Sequence, residues 1–438
     1  MATAIAFLIT WIPVATIVAA GLALLWYIVS ALIWAYDYLR GSSHVRASMR
    51  RAVVIKWTWR RTARLLNLSI TDKTPTAGQF LTNRKTPPQP RIITPRLRTR
   101  VDAFSVTIES RAIGAVNARR WADHAQDLAD LWRVGRVKVS SPSPGRVRAR
   151  AFLTEPLEAF VPSPLITEHH GLWLPAIAPG SLPPDHPVLL MLDEDGRPIH
   201  VNLVDGAHML IAGVTRSGKS ITVNTLLGAW ALMNSVRLRI IDANLGTVAP
   251  WWRTAHTVCD DIDLERPTEI LREIREEMEF RKRYFWELRA DKLTQFTPDT
   301  PVEVLVIDEL ANYAKHPDKK RRELFLAELL AVASQGHKFG VRLVLITQKP
   351  EADILPTSIR TNLSARICHR VDTTEDFKHA FPGAADMDIT AADRSMPPGV
   401  AIAQLLGMPT AVRARSAFTP SQACWSIADA ICARPGGQ

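Results

Sequence analysis

The stretch that decides the fold reads Gly213-Val214-Thr215-Arg216-Ser217-Gly218-Lys219-Ser220. It fits the pattern G-x-x-x-x-G-K-[ST], follows a short apolar strand predicted at Met209–Ala212 and opens a helical stretch, which is the context of a phosphate-binding loop. Glycine lets the backbone curl so that its N–H groups face an anion. We therefore predict that these residues bind a nucleotide, with Lys219 on the β- and γ-phosphates and Ser220 on Mg²⁺.

Short apolar strands alternate with longer helical stretches from about Val188 onward. Strands that are apolar on both faces are typical of a parallel sheet covered by helices. The predicted strands are Met209–Ala212, Leu238–Ile241, Val304–Ile307, Leu343–Ile346 and Ala365–His369. The sequence therefore predicts an α/β fold with a parallel sheet for residues 187–438, the domain that contains the phosphate-binding loop.

Two acidic residues, Asp308 and Glu309, directly follow the predicted strand Val304–Ile307. Because isolated buried carboxylates are costly to desolvate, such a pair indicates a use for its charge; a solvated strand end is the alternative. We predict that Asp308 holds the Mg²⁺ shell and that Glu309 activates the attacking water as general base. Gln348, after the next predicted strand, can contact the γ-phosphate and report its loss.

The residues before this domain predict a small α+β domain at 99–186. A strand-like run covers Val101–Ser110 and a helical run covers Ala118–Val134. A pair of strands follows at Arg136–Ser140 and Gly145–Phe152, joined by a proline-rich turn. Residues 70–98 are rich in threonine and proline, and therefore predict a linker.

No charged side chain occurs between Ala2 and Tyr36. Because about 20 apolar residues suffice for a helix to cross a bilayer, residues 1–38 predict a transmembrane segment, as one span or as two short passes around Gly21. Aromatic residues crowd its carboxyl end, as in an interfacial belt. A cleaved signal peptide is not expected, since no basic region precedes the apolar run.

Eight basic residues and no acidic residue lie between Tyr38 and Asp72. Basic residues close to a span stay on the cytoplasmic side, so we expect a protein of the cell membrane whose bulk lies in the cytoplasm. Residues 39–69 mix these charges with tryptophan and aliphatic side chains. They predict a basic juxtamembrane helix on anionic lipid, and contact with DNA is the alternative.

The net charge of +11 is unevenly distributed along the chain. Residues 1–100 hold 15 Lys and Arg against 2 Asp and Glu, a balance of +13, and the remainder holds 39 against 41, a balance of −2. A membrane surface therefore competes with nucleic acid as the explanation of the basic excess. The four scattered cysteines lack the spacing of a metal site and argue against a disulfide framework.

Four motifs together carry a resemblance to a known family. They are His208-Met-Leu-Ile-Ala-Gly-x-Thr-x-Ser-Gly-Lys-Ser, Ile307-Asp-Glu-Leu-Ala, Gly340-x-x-Leu-Val-Leu-Ile-Thr-Gln-Lys-Pro350 and Asn362-Leu-Ser-Ala-Arg-Ile367. Their order resembles the motors of the FtsK/SpoIIIE family of double-stranded DNA translocases. The single motor on a brief anchor resembles most the conjugative DNA-transfer members of mycelial (actinobacterial) elements.

This resemblance implies a RecA-like P-loop ATPase that uses ATP and Mg²⁺, the metal being held by Ser220 and Asp308. It also implies a homo-hexameric ring around duplex DNA, in which an arginine reaches the nucleotide of the neighbouring subunit. Arg366 is the first candidate for that catalytic role, and Arg360 and Arg370 are the next candidates. Other transfer proteins are expected as partners, but the resemblance does not identify them.

The sequence departs from the family pattern at three places. Arg216 replaces a small residue, and Asp242-Ala-Asn lacks the usual lysine. We also expect no sequence-reading winged-helix domain after the last helical run, Ala417–Ala433, so recognition of a DNA sequence by this chain is in doubt. Two other functions stay open, namely the ATPase of a protein export system and a nucleotide-binding scaffold without turnover. The presence of Glu309 speaks against the scaffold.

Overall fold

A computed structural model describes residues 21–22, 24–25, 28–29, 31–72, 74, 91–102, 104–155, 157–381 and 396–434. The chain divides into two compact units, Met1–Glu155 and Pro156–Gln438, here named the amino-terminal and the carboxy-terminal unit. The predicted boundary at 186/187 therefore differs from the observed one. The reason is that β7 (Val161–Pro162) already pairs with a strand of the carboxy-terminal sheet.

The amino-terminal unit is built around an antiparallel sheet of four strands in the order β3-β4-β6-β5. Its helices are α1 (Ser43–Leu65), α2 (Ala118–Asp123) and α3 (Ala125–Trp132), and its strands are β1 (Ile70–Asp72), β2 (Arg91–Ile93), β3 (Arg98–Val101), β4 (Ser105–Arg111), β5 (Arg136–Ser140) and β6 (Arg146–Phe152). The single helix predicted at 118–134 is two helices, because the backbone leaves helical geometry at His124.

Helix α1 packs its apolar face into the core of this unit. Ile55 and Trp59 are buried there, and the Trp59 ring lies 4.9 Å from Trp121 and 6.3 Å from Trp132. The basic juxtamembrane helix at 39–69 stays a prediction, and the structure adds that one face of the helix is covered by protein. Basic side chains and tryptophan are equally compatible with a membrane surface and with the rim of a core.

The linker predicted at 70–98 contains structure at both ends. β1 and β2 pair antiparallel in the register Ile70↔Ile93, and most of the residues between them lie outside those described. The predicted transmembrane segment, residues 1–38, also lies largely outside the described residues, although 31–40 is helical. Among the described residues, no helix combines the length and the apolarity that a bilayer span requires.

The carboxy-terminal unit is organised by a sheet of eleven strands. Along the sheet the order is β11-β10-β19-β18-β17-β12-β16-β15-β13-β14, with β7 beside β19. A separate hairpin consists of β8 (Ile166–His169) and β9 (Leu172–Pro175). The other strands of the large sheet are β10 (Val188–Asp193), β11 (Pro198–Val201), β12 (Met209–Ala212), β13 (Val236–Ile241), β14 (Thr257–Cys259), β15 (Val302–Ile307), β16 (Val341–Thr347), β17 (Ala365–His369), β18 (Val400–Gln404) and β19 (Val412–Phe418).

The six strands from β17 to β14 are mutually parallel, and β18, β19, β10 and β11 extend the sheet antiparallel. This mixed but mostly parallel sheet confirms the predicted α/β class. Because β12, β13, β15 and β16 run the same way, the residues that follow them gather at one edge of the sheet. A crevice at the carboxyl ends of such strands is where α/β proteins bind ligands.

Helices cover both faces of this sheet. They are α4 (Lys219–Ala231), α5 (Glu265–Leu288), α6 (Ala311–Ala314), α7 (Lys319–Gln335), α8 (Thr357–Arg360), α9 (Thr374–Ala380) and α10 (Ser421–Cys432), with 3₁₀ turns at Ala249–Arg253 and Gly336–Phe339. One core cluster joins Ile274 of α5 and Leu329 of α7 to one face, and another joins Leu226 of α4 and Ile427 of α10 to the other. The strands between are therefore buried on both sides.

Candidate active site

The loop at 213–218 connects β12 to α4 and is held by the neighbouring strands. The Gly213 N–H donates to the Thr347 carbonyl at the end of β16 (3.3 Å), and the Val214 N–H donates to the Arg370 carbonyl after β17 (2.9 Å). On its other side, the Gly399 N–H donates to the Ser217 carbonyl (3.0 Å). The loop is thus fixed by backbone hydrogen bonds from three separate segments.

Glycine is required at both ends of this loop. Gly213 and Gly218 have φ angles of 148° and 99°, in the region that side chains with a Cβ avoid. A Cβ at Gly218 would lie 2.0 Å from the Gly399 nitrogen, and one at Gly213 would lie 2.7 Å from the His369 Cβ. The two glycines therefore serve both the curl of the backbone and the close packing of the loop.

Lys219 begins helix α4 and turns back over the loop. Its ammonium donates to the Gly213 carbonyl and, at 3.3 Å, to the Val214 carbonyl. Burial lowers the pKa of Lys219, while the nearby Glu309 and Asp308 act in the opposite direction. Ser220 is the next residue of the helix, and its Oγ lies 3.0 Å from Thr247 Oγ1.

The two acids at the end of β15 have different environments. Asp308 is buried, and its pKa is raised to about 6, first because burial disfavours its charge and then because Asp242 and Glu309 are close. Glu309 has a left-handed backbone (φ 48°), which is uncommon for a residue other than glycine and is frequent at functional sites. A buried carboxylate crowded by two others is suited to binding a cation.

Gln348 links the acids to the loop. Thr215 Oγ1 donates to Gln348 Oε1 at 3.0 Å, and the Gln348 N–H donates to Glu309 Oε1 at 3.3 Å. Thr347 Oγ1 also lies 3.3 Å from Glu309 Oε1. Hydrogen bonds therefore connect the phosphate-binding loop, the end of β16 and the predicted general base.

These side chains line one cavity of about 400 Å³. The residues around it are Val214, Thr215, Arg216, Gly218, Lys219, Ser220, Asn244, Gly246, Thr247, Asp308, Glu309, Gln348 and Pro398. Ser217 of the predicted loop is buried behind it. The structure thus brings together the predicted residues from β12, β15 and β16 at one edge of the sheet.

Sequence reasoning missed the segment after β13 that closes the cavity. Asp242 is fully buried and accepts hydrogen bonds from the Asn244 N–H (2.9 Å) and the Gly246 N–H (3.2 Å). This turn places Asn244 and Thr247 on the cavity wall. The sequence carried a signal for this segment, because Asp242-Ala-Asn departs from the family pattern directly after the strand.

A buried histidine behind the loop was also missed. His369 on β17 contacts the Val400 carbonyl through Nδ1 (3.2 Å) and Thr222 Oγ1 through Nε2 (2.9 Å). Burial and the charge of Lys219 lower its pKa to about 3. The ring is therefore neutral, with its proton on Nδ1, because only a donor can pair with a carbonyl. His369 ties the first turn of α4 to β17 and β18.

The oxygen ligands in the cavity fit magnesium. Mg²⁺ takes few protein ligands, such as one carboxylate, and completes its shell with phosphate oxygens and water. The Ser220 hydroxyl and the Asp308 carboxylate both line the cavity and match this donor set. Within the described ranges, no group of three or more His, Cys, Asp or Glu residues forms a metal site of another kind.

The structure does not place Arg366 in this cavity. Its Nε donates to the Leu363 carbonyl (2.7 Å) and its Nη2 donates to the Arg360 carbonyl (2.9 Å), so the side chain holds the segment before β17. Arg360 is buried and donates to Thr357 Oγ1 (3.0 Å). Of the three predicted arginines, Arg370 is the one whose backbone touches the phosphate-binding loop. Because the predicted role of Arg366 is at the nucleotide of a neighbouring subunit, it stays a prediction.

The basic cluster at 315–322 is paired with acids on the surface of its own unit. Lys315 Nζ lies 2.9 Å from Asp353, and Arg321 contacts Asp263. Asp318 caps helix α7 by accepting from the Arg321 N–H (3.1 Å). These contacts fit a solvated start of a helix.

Comparison with known proteins agrees with this geometry. Residues 183–391 match the model of the FtsK/SpoIIIE family. The matched residues all lie in the carboxy-terminal unit. The cavity of this unit is lined by the phosphate-binding loop and by the acids that the sequence analysis singled out.

Two curated relatives illustrate the similarity and its extent. DNA translocase SftA of Bacillus subtilis (strain 168) is 30% identical over 200 residues, which is 43% of this chain and 21% of the relative. DNA translocase FtsK of Helicobacter pylori (strain ATCC 700392 / 26695) is 30% identical over 206 residues, which is 44% of this chain and 24% of the relative. The matched part of the chain therefore spans about a quarter or less of these proteins' length.

A solved structure shares the fold over a longer stretch. The pCW3 conjugation coupling protein TcpA, determined as a monomer with ATPγS, superposes with a TM-score of 0.51 and 15% identity. The match covers 77% of this chain and 93% of that one. At this identity the likeness shows a common fold.

Proposed function

We propose that the chain is an ATP-driven translocase of double-stranded DNA. The observation that carries the proposal is the convergence of Lys219, Asp308, Glu309 and Gln348 on one cavity in a unit that matches the model of the FtsK/SpoIIIE family. The two relatives described above are named DNA translocases, which favours DNA over protein as the substrate. Turnover of ATP in this cavity supplies the energy for movement.

In the proposed reaction, the N–H groups of the loop and Lys219 bind the β- and γ-phosphates. Mg²⁺, held by Ser220 and Asp308, would neutralise charge that develops on the phosphate oxygens. Glu309 orients a water for attack on the γ-phosphorus and accepts its proton. Gln348 is bonded to Glu309 and to Thr215 of the loop, so departure of the γ-phosphate changes a contact that reaches β16.

The setting of this activity is also a proposal. Residues 1–38 anchor the chain in the cell membrane. The ATPase lies on the cytoplasmic side, because Arg40 and seven further basic residues follow the anchor before the next acid, Asp72. We further propose a homo-hexameric ring in which one of Arg360, Arg366 and Arg370 reaches the neighbouring nucleotide. The task is conjugative transfer of a plasmid or integrative element, a role that the shared fold with a conjugation coupling protein favours.

Two variants of the site and one control variant test the catalytic assignment. Glu309→Gln should bind a fluorescent ATP analogue as the wild type does and lose at least about 100-fold of the ATPase rate, since a general base contributes roughly that factor. Lys219→Ala should lose binding as well, because the phosphates lose their main cation. Glu323→Gln, an exposed change on α7, is the matched control and should retain both. Turnover near the wild-type rate in Glu309→Gln would show that another group activates the water.

A reporter fused to the carboxyl end of the full chain tests the topology. The positive residues after position 38 predict that alkaline phosphatase is inactive there and that a fluorescent protein is bright. Active phosphatase would reverse the orientation. Recovery of the full chain in the soluble fraction, without detergent, would remove the anchor from the proposal.

A further inference from the structure

The amino-terminal unit contains two neighbouring cavities outside the candidate ATPase site. Two cavities of about 710 Å³ and about 690 Å³ lie next to each other and share Ile93, Thr94, Pro95 and Arg96 in their walls. They are therefore neighbouring cavities with one wall segment in common, and the two together are here named the basic groove. Trp59 belongs to its floor, and the Trp59 indole donates to the Pro95 carbonyl at 2.7 Å, so the groove is built on the core of the unit.

One wall of the basic groove comes from helix α1. Lys56, Arg60 and Arg64 line it and are exposed. Their spacing of four residues places them in one row along the helix, with about 6 Å of rise between neighbours. Among the described residues, none of the three forms an ion pair with an acid.

The larger of the two cavities is lined by residues of the sheet. Arg98 of β3 lies directly opposite Glu109 of β4, which Arg148 of β6 also faces and binds at 2.8 Å. That bond lowers the pKa of Glu109, which is the one acid in the walls of the groove. The cations on this side therefore outnumber the acid that balances them.

One cross-strand pair in the groove is unfavourable by itself. Arg111 of β4 and Arg146 of β6 are directly opposite in the register, and both line the larger cavity. Like charges in this relation destabilise a sheet. Neither arginine has an ion pair with any described acid of the unit. A bound anion would convert this repulsion into attraction, so the pair indicates a ligand.

The charge of the whole unit points in the same direction. Residues 1–155 hold 24 Lys and Arg against 8 Asp and Glu, a balance of +16, whereas residues 156–438 hold 30 against 35, a balance of −5. A concave surface of one sign concentrates the field and attracts counter-ions of opposite sign. The basic groove is therefore the place on this unit where a polyanion binds best.

We infer that the basic groove binds the phosphate backbone of duplex DNA and is a DNA contact separate from the ATPase unit. Guanidinium groups form paired hydrogen bonds with phosphate oxygens, and all but Lys56 of the basic side chains in the groove are arginine. Cations that line two neighbouring cavities match a ligand whose charges repeat along its length. The inference rests on the proposed DNA substrate of the motor.

An anionic lipid surface is the competing ligand, and the geometry favours DNA over it. A membrane is a plane that contacts projecting side chains, whereas these arginines line a depression. The side chain of α1 best suited to an interface is Trp57, which is 89% exposed and lies outside the walls of the groove. Lipid contact and DNA contact would therefore use different side chains of the same helix.

A triple variant of the full chain tests the inference. Arg96→Gln, Arg98→Gln and Arg146→Gln together remove three cations of the groove, and Arg61→Gln, Arg119→Gln and Arg120→Gln remove three that lie outside it. The probe is a labelled 30-base-pair duplex, measured by fluorescence anisotropy with purified protein in neutral detergent. The groove variant should bind at least about tenfold more weakly, and its slope of log K against log salt should be smaller by about 2.7. The control should stay within about twofold of the wild type.

A second measurement separates this inference from the proposed function. DNA-stimulated ATPase of the groove variant should reach the wild-type maximum, but at a higher DNA concentration, because the catalytic cavity is unchanged. Stimulation at the same DNA concentration in both proteins would overturn the groove and leave the motor intact. Absence of stimulation in the wild type would overturn the proposed motor instead. Unchanged DNA binding, with loss only of a preference for nanodiscs of phosphatidylglycerol over phosphatidylcholine, would assign the groove to lipid and overturn the inference.

Discussion

At the scale of single residues, Gly218 is the position of the site that tolerates least. A Cβ there would meet the backbone of Gly399 at 2.0 Å, and a backbone cannot move aside as a flexible side chain can. We predict that Gly218→Ala loses binding of a fluorescent ATP analogue and lowers the melting temperature of the full chain. Both effects follow because the loop must shift away from the turn that holds Ser217.

Gly196 provides the matched control for this prediction. It also has a positive φ (74°), but no atom lies within 4 Å of the position of its Cβ. Gly196→Ala should therefore cost only the backbone strain, about 1 kcal/mol, and should retain nucleotide binding. Equal behaviour of the two variants would mean that the contact with Gly399 is unimportant.

The sequence predicts the residues of the site whose chemistry is fixed by the phosphate. Lys219, Ser220, Asp308 and Glu309 were identified because a nucleotide-binding loop and a strand ending in acids allow few residue types. Thr247 was not identified, because a turn held by Asp242 brings it to the cavity. Such a turn depends on tertiary hydrogen bonds, which have no periodic signature in a sequence.

At the scale of elements, helix α1 contributes a buried aromatic side chain to the core of the amino-terminal unit. Trp59 is 4% exposed and Trp57, two residues earlier on the same helix, is 89% exposed. We predict that Trp59→Ala destabilises the amino-terminal unit by about 3–5 kcal/mol, the usual cost of deleting a buried aromatic side chain. Trp57→Ala should change the stability by about 0.5 kcal/mol or less. Chemical denaturation followed by circular dichroism measures both.

The outcome of this comparison separates two interpretations of the helix. A helix that only rests on lipid would make Trp57 the more important residue in a membrane and neither residue important in detergent. A large effect of Trp59 in detergent requires the packing against Trp121. Comparable stability of the two variants would contradict the observed core.

Helices and strands are predicted best from the sequence where their pattern of apolar residues lies within the element itself. The central strands, such as β12, are apolar on both faces and short, so their type and position follow from the sequence. Helix α1 has a clear apolar face, but periodicity does not tell what covers that face. Strand β7 is two residues long and exists through pairing with β19, which is distant in the sequence, so the unit boundary was missed.

At the scale of the whole molecule, the two units have opposite net charge, +16 for residues 1–155 and −5 for residues 156–438. Under the proposed function, the unit that hydrolyses ATP is therefore the one with less general attraction for DNA. Non-specific DNA affinity comes almost entirely from neutralised phosphates. The proposed function and the inferred groove together imply a division of labour, in which the amino-terminal unit raises the local concentration of DNA and the carboxy-terminal unit moves it.

A shortened chain beginning at residue 156 tests this division. The carboxy-terminal unit has its own two core clusters, so it should fold and retain its basal ATPase. We predict that duplex DNA still stimulates the ATPase, but that half-maximal stimulation needs at least about tenfold more DNA and falls less steeply with salt, because fewer counter-ions are released. Stimulation should depend little on DNA sequence, since contacts with the phosphate backbone carry no base information.

Stimulation of the shortened chain at the concentration that suffices for the full chain would place all DNA binding in the motor. An assembled but DNA-indifferent ATPase, in both the full and the shortened chain, would favour export of protein, because a motor responds to the polymer that it moves.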